Sequence, residues 1–139
     1  MPVSLTRTVT FHARHRYWVP DWTAEENRAR FGWTSEAPGH GHAYQCAVTV
    51  TGPLDPVTGM VIDLAALDAI LASEVLVLDG RHLNEDIPEF TRGAELPTCE
   101  ALAAWLFGRI AARLPTGVTL ERVRVAEDAT LHADCTGNS

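Results

Sequence analysis

His40-Gly41-His42 places two imidazoles one residue apart at the head of a strand-like run, His42 to Val50. Alternate side chains of an extended strand face the same way. His40 and His42 therefore share a face, and their ring nitrogens can converge on one ion. Tyr44, Cys46, Val48 and Val50 continue the same parity, so that face points inward. Two imidazoles on a largely apolar face call for a partner, and zinc, which takes nitrogen ligands, is the obvious one. Spacing alone also allows two histidines in a turn.

A third imidazole comes from the first strand-like run, Val3 to His15. Its odd positions are Val3, Leu5, Arg7, Val9, Phe11, Ala13 and His15, an apolar face with Arg7 as the polar exception. The even positions are polar, so His12 is expected to face solvent and His15 to face the core. Three histidine ligands leave one tetrahedral position for water or substrate, the pattern of a catalytic metal site.

The elements that must position these groups follow along the chain. Thr23-Ala24-Glu25-Glu26 is a capping-box signature and starts a short helix to about Arg30. Gly32 to Gly39 reads as a loop, and Gly52-Pro53 with Asp55-Pro56 as a turn region closed by Thr58-Gly59. Asp63 is a cap for a helix carrying Leu64, Leu67, Ile70 and Leu71 on one face. Pro97-Thr98 begins a second helix with Ala101, Leu102, Trp105, Leu106 and Ile110 on one face, ending by Pro115. Val118 to Glu127 reads as a strand and Thr130 to Cys135 as a shorter one. The expected class is α+β: four antiparallel strands in the order β-β-α-α-β-β, two helices on one sheet face, and a short helix in the first connection.

The chain has 139 residues, one domain spanning 1–139 on this reading, with a formal charge of −7. All eleven basic residues are arginine; there is no lysine, which excludes a Schiff-base or pyridoxal-phosphate mechanism. The acidic balance and the lack of a basic stripe argue against nucleic-acid binding. No apolar run approaches the roughly 20 residues needed to span a bilayer, and no signal-peptide pattern is visible. Cys46, Cys99 and Cys135 lack CxxC spacing and read as reduced thiols of a cytoplasmic protein. An open four-stranded sheet has two edges that must be paired or shielded. A monomer whose edges are covered by the Gly32–Gly39 and Asp86–Leu96 loops is one solution.

Several segments together resemble the 6-pyruvoyltetrahydropterin and 6-carboxytetrahydropterin synthase family. They are Phe11-His12-Ala13-Arg14-His15, Phe31-Gly32, Gly39 to Tyr44, Gly52 to Pro56, Thr58 to Leu64, Leu78-Asp79 with Leu83-Asn84, Pro97-Thr98 with Glu100, and Val125-Ala126-Glu127. The resemblance spans nearly the whole chain. It implies the tunnelling fold, a zinc site at His15, His40 and His42, a pterin-holding Glu127, a small-molecule substrate and a homo-oligomer, usually a hexamer.

Two positions depart from that pattern. The family's catalytic cysteine falls on Thr34, and the histidine that follows the family's aspartate falls on Gly80, after Asp79. Losing such acid–base help typically costs about 10²–10⁴ in rate. The candidate catalytic residues are accordingly Glu36, Asp79, His82 and Glu127, and the candidate substrate contacts are Trp33, Thr34, Thr98 and Glu127. Glu36 is a general base if a pocket raises its pKa, and otherwise a solvated loop carboxylate. Asp79 orients a base, binds substrate or merely turns the chain before Gly80, and His82 is either a displaced proton carrier or a loop residue. Trp18, Trp22 and Trp33 are expected around the pocket mouth, where they could stack on a flat substrate. Arg14, Arg16 and Arg81 could meet a phosphate-bearing substrate. Four readings follow: a zinc-dependent enzyme of this family with altered lyase or cyclase chemistry on a flat nitrogen heterocycle; a Pictet–Spengler-type cyclase joining an arylethylamine to an aldehyde; an ordinary 6-carboxytetrahydropterin synthase-like lyase; and a noncatalytic pterin-binding module.

Overall fold

The computed structural model describes residues 2–91 and 95–137. Two twelve-residue strands, β1 (Ser4–His15) and β2 (His40–Thr51), pair antiparallel along their full length, from Ser4 opposite Thr51 to His15 opposite His40. β4 (Thr119–Asp128) pairs with the other edge of β2, and β5 (Leu131–Cys135) pairs with β4, both antiparallel. These four strands match the sequence reading.

The structure adds a fifth strand. β3 (Arg81–His82) lies parallel to β1, giving the order β3-β1-β2-β4-β5 and a mixed sheet where four antiparallel strands were expected. Two residues carry no periodic signal, so the sequence could not announce it. What places it is local: the Gly80 amide donates to the His12 carbonyl at 2.7 Å, and the His12 amide donates to the Asp79 carboxylate at 2.7 Å.

The helices start where their caps predict. Thr23 accepts from the Glu26 amide and begins α1 (Ala24–Phe31), which ends at Gly32 in the left-handed region, φ 62°. Asp63 caps α2 (Leu64–Glu74), and Thr98 caps α5 (Cys99–Ala111). Two single-turn helices, α3 (Leu83–Asp86) and α4 (Pro88–Thr91), occupy part of the connection expected as a loop. Arg92, Gly93 and Ala94 of that Asp86–Leu96 segment lie outside the described residues. Gly32–Ser35 of the other expected loop is a 3-10 turn.

α2 and α5 pack into one core with the inward sheet face. Phe11, Tyr44, Cys46, Val48, Leu67, Leu71, Leu102, Leu106, Ile110, Val123 and Val125 are each 0% exposed there. Charge adds a clamp: half-exposed Arg109 of α5 and Arg113 just beyond its end each place a guanidinium nitrogen 2.9 Å from the buried Glu74 carboxylate of α2. Arg7, the polar exception on the β1 face, is satisfied by a bidentate pair with Asp68 of α2, both bonds 2.9 Å. At the far end of the β1–β2 ladder the core side chains give way to imidazoles.

Candidate metal centre and substrate pocket

Strand pairing assembles the imidazole cluster. His15 and His40 are cross-strand partners, and His42 stands opposite Ala13, whose small side chain leaves room on the same face. Ring centroids are 4.6 Å apart for His15–His40, 5.1 Å for His15–His42 and 5.0 Å for His40–His42. One ligand nitrogen from each lies within 4.8 Å of the others. His15 Nε2 and His40 Nδ1 are buried and lack a hydrogen-bond partner among the described residues, and buried His42 Nε2 makes no hydrogen bond of good geometry although a carboxylate stands close to it. Buried polar atoms are normally satisfied, so unpaired imidazole nitrogens in a cluster this tight fit a divalent cation held by nitrogen donors.

The outer support of the cluster is built in. His15 Nδ1 lies 2.7 Å from the Pro97 carbonyl, which can only accept, so Nδ1 carries the proton and Nε2 presents its lone pair. The Tyr44 hydroxyl lies 3.1 Å from the same Nδ1. Burial pushes the His15 pKa down to about 4, with the Pro97 bond opposing and the neighbouring histidines adding to the drop. Burial, then His42, also lowers His40. Neutral imidazoles are the form a metal requires.

This sets a pH prediction for the metal-free protein. His15 binds its proton in the unfolded chain near 6.5 and in the folded chain only near 4. Between those values the unfolded state holds more protons, so stability falls as pH drops through that window, by about 3 kcal/mol for this group. Urea unfolding at pH 7 and at pH 4 measures it, and His15→Gln should flatten the dependence in this range.

Beside the cluster stands Glu127, near the end of β4, its side chain only 11% exposed. Its Oε2 lies 3.1 Å from His42 Nε2. Its Oε1 receives the Tyr17 hydroxyl at 3.5 Å and the Cys99 thiol at 3.7 Å. Burial first, and then this carboxylate, push the Cys99 thiol up to about 12 and raise both Tyr17 and Tyr44 above the ordinary phenol range. Cys99 is therefore a neutral hydrogen-bond donor. Trp33 is 65% exposed, with its ring centroid 4.7 Å from that of His40.

The other sequence candidates scatter. The Thr34 hydroxyl donates to the Phe31 carbonyl at 2.6 Å. Thr98 is engaged as the α5 cap, next to Pro97, and so supports His15 rather than pointing at it. His82 Nε2 is tied to the Pro38 carbonyl, just before the His40 segment. Asp79 is exposed beside His12, 3.4 Å from its Nδ1; it is held below the ordinary carboxylate range chiefly by the His12 amide. Glu36 lines a separate cavity with Arg16, Trp18 and Arg28. Arg16 donates to the Ser35 carbonyl and stacks on Trp18, and Trp22 stacks on Phe31, so these two tryptophans pack against their own neighbours. Arg14 and Arg81, with His12 and His82, line a cleft of about 820 Å³ along the β1–β3 edge. Tyr17 and Cys99, both in contact with Glu127, were not among the sequence candidates. Tyr17 lies beyond the alternating run of β1, and Cys99 reads as an ordinary helix-start residue.

Comparison with known proteins identifies the relatives of this chain. The family model for 6-pyruvoyl tetrahydropterin synthase matches residues 4–138. The chain is 36% identical over 124 residues to the human 6-pyruvoyl tetrahydrobiopterin synthase, covering 88% of this chain and 83% of that protein. It is 33% identical over 88 residues to the dihydroneopterin monophosphate aldolase of Pyrococcus furiosus, covering 63% of this chain and 69% of that one. The solved 6-pyruvoyl tetrahydropterin synthase of Caenorhabditis elegans superposes with a TM-score of 0.90 at 28% identity, covering 99% of this chain and 97% of its own. No helix among the described residues is long and apolar enough to cross a membrane. With its α+β sheet and its inward-facing histidine cluster, this chain belongs to the 6-pyruvoyl tetrahydropterin synthase family and has the tunnelling fold.

Proposed function

We propose that this chain is a zinc-dependent lyase acting on the side chain of a reduced pterin, working as a homo-oligomer, most simply a hexamer, in the cytoplasm. The single observation that carries the reading is the pairing of two features: three imidazoles that each bring a ligand nitrogen within 4.8 Å of the others, and a nearly buried carboxylate, Glu127, in contact with one of them. Relatives named as a tetrahydrobiopterin synthase and as a dihydroneopterin monophosphate aldolase point to the same substrate class.

His15, His40 and His42 would hold the ion, which would supply Lewis-acid polarisation to substrate oxygens. The chain's own residues do the rest. Glu127 accepts paired N–H donors from an aminopyrimidine-like edge. Tyr17 and Cys99 hold that carboxylate, and Trp33 shields the exposed side of His40. Pro97 keeps His15 in the metal-binding tautomer. Thr34 and Gly80 supply neither a thiol nor an imidazole, so proton movement falls to other groups.

That departure also favours a second reading, a condensing cyclase that joins an arylethylamine to an aldehyde and closes a ring. Glu36, Asp79, His82 or Glu127 would then supply the acid–base chemistry. One experiment separates the two. The protein is incubated with 7,8-dihydroneopterin triphosphate, and separately with arylethylamine–aldehyde pairs, and products are followed by mass. We expect triphosphate loss from the pterin, abolished by chelation and restored by zinc. Cyclised amine–aldehyde product without pterin conversion would replace the lyase reading with the cyclase one.

A further inference from the structure

We propose that Cys99 is the positioning residue of the pterin anchor: its thiol, at the start of α5, clasps the Glu127 carboxylate and so sets where the substrate ring sits relative to the metal. The inference deepens the pterin-lyase reading and rests on it.

The sheet by itself does not fix Glu127. The β2–β4 ladder has its last pair at this end between Gln45 and Ala126. On the other side the β4–β5 register slips between Ala126 and Asp128, which leaves Glu127 between them without a partner. Such a bulge re-aims a side chain and frees it from the ladder. A long glutamate side chain loses much rotamer freedom when it is held in one place. What holds this one must come from outside the sheet.

Two groups from outside the sheet meet its Oε1, the Tyr17 hydroxyl at 3.5 Å and the Cys99 thiol at 3.7 Å. They differ in their own anchorage. Tyr17 is half-buried on the segment beyond β1. Cys99 is 1% exposed and opens a thirteen-residue helix that Thr98 caps and that packs against β4. The Glu127 backbone amide faces the same sulfur. Main chain and side chain of the bulged residue therefore meet one buried thiol. Oε2 is left to face the imidazoles, 3.1 Å from His42 Nε2.

The same end of α5 also reaches the metal centre. The Pro97 carbonyl lies 2.7 Å from His15 Nδ1. The short stretch from Pro97 to Cys99 thus holds one metal-binding imidazole and the anchoring carboxylate together. A substrate ring held by Glu127 and a side chain directed at the histidines are then kept at one separation by a single rigid element. Misplacing reacting groups by about 1 Å can cost about 10²-fold in rate. Cys99 acts through Glu127 and touches no reacting atom.

Cys99→Ala and Cys99→Ser test this, because both remove the sulfur but serine keeps a donor in its place. Each is compared with wild type for kcat and KM on 7,8-dihydroneopterin triphosphate, zinc content and urea unfolding. We expect kcat/KM to fall by about 10–10²-fold in Cys99→Ala, mainly through KM, with zinc content unchanged, and to recover most of that loss in Cys99→Ser. Equal losses in the two variants, or wild-type kinetics in Cys99→Ala, would overturn the proposal and leave the lyase reading intact. The bond itself is read without substrate, from the S–H stretching band that the infrared difference between wild type and Cys99→Ser isolates. That band should shift in Glu127→Ala, and a band that stays in place would also overturn the proposal. A wild type that neither binds nor converts the pterin, with the band still shifting, would overturn the lyase reading and the ring-placing role, leaving only the clasp on Glu127.

Discussion

His42→Ala should empty the metal centre. The change removes one of three nitrogens that lie within 4.8 Å of one another. It also removes the 3.1 Å contact to Glu127. Losing an outer partner of a metal ligand typically costs about 10–100-fold in affinity, and losing a ligand should cost more. Zinc retained through chelator competition should drop from near one ion per chain to near none, and pterin conversion with it. The fold should survive, because His42 lies outside the apolar core that α2 and α5 form with the sheet. Full zinc content in the variant would show that the cluster is not the metal site.

The second large effect concerns a residue with no side chain. Gly39 precedes His40 at φ 118°, in the left-handed region that other residues rarely adopt. A Cβ built there would lie 2.6 Å from the His15 carbonyl oxygen and 3.3 Å from His82 Nε2. That oxygen belongs to the backbone of the first metal-ligand residue, so it cannot yield without moving His15 against His40. Gly39→Ala should lower unfolding free energy by about 2–4 kcal/mol, combining backbone strain with overpacking, and should weaken zinc binding as well. Gly59→Ala is the control. Gly59 also has a left-handed φ, 71°, but nothing lies within 4 Å of its added Cβ. It should cost only the roughly 1–2 kcal/mol of the backbone term and leave the metal untouched. Equal losses in urea unfolding for the two variants would refute the packing argument.

The histidine cluster was legible because strand parity is a strong constraint. Once β1 and β2 are read as strands, His15, His40 and His42 must share the inward face, and the ladder register then sets them side by side. The helix caps were legible for a similar reason: Thr23, Asp63 and Thr98 each do one local job. Contacts between distant segments carry no such periodic mark. Nothing in the spacing says that His82 meets Pro38, that Asp79 pairs with His12, or that Glu36 turns toward Arg16 and Trp18 instead of the imidazoles. Tyr17 follows the last alternating position of β1, where parity stops being informative, and its approach to Glu127 joins residues 110 positions apart. The two-residue β3 is too short for any pattern, so the mixed character of the sheet emerges only in three dimensions.

The bond from His15 to Pro97 has a consequence in time. It spans 82 residues, and the paired bonds between Arg16 and Asn84 next to it span 68. During synthesis the two histidine strands can emerge and pair early. The grip that fixes the His15 tautomer must wait until the chain has grown past Pro97 and the N-terminal end of α5 has docked. Ring closure over such a length is slow relative to hairpin formation. A nascent chain therefore passes through a stage in which its imidazoles are gathered but unsteered, and capture of the ion marks the arrival of the last helix rather than the pairing of the first strands.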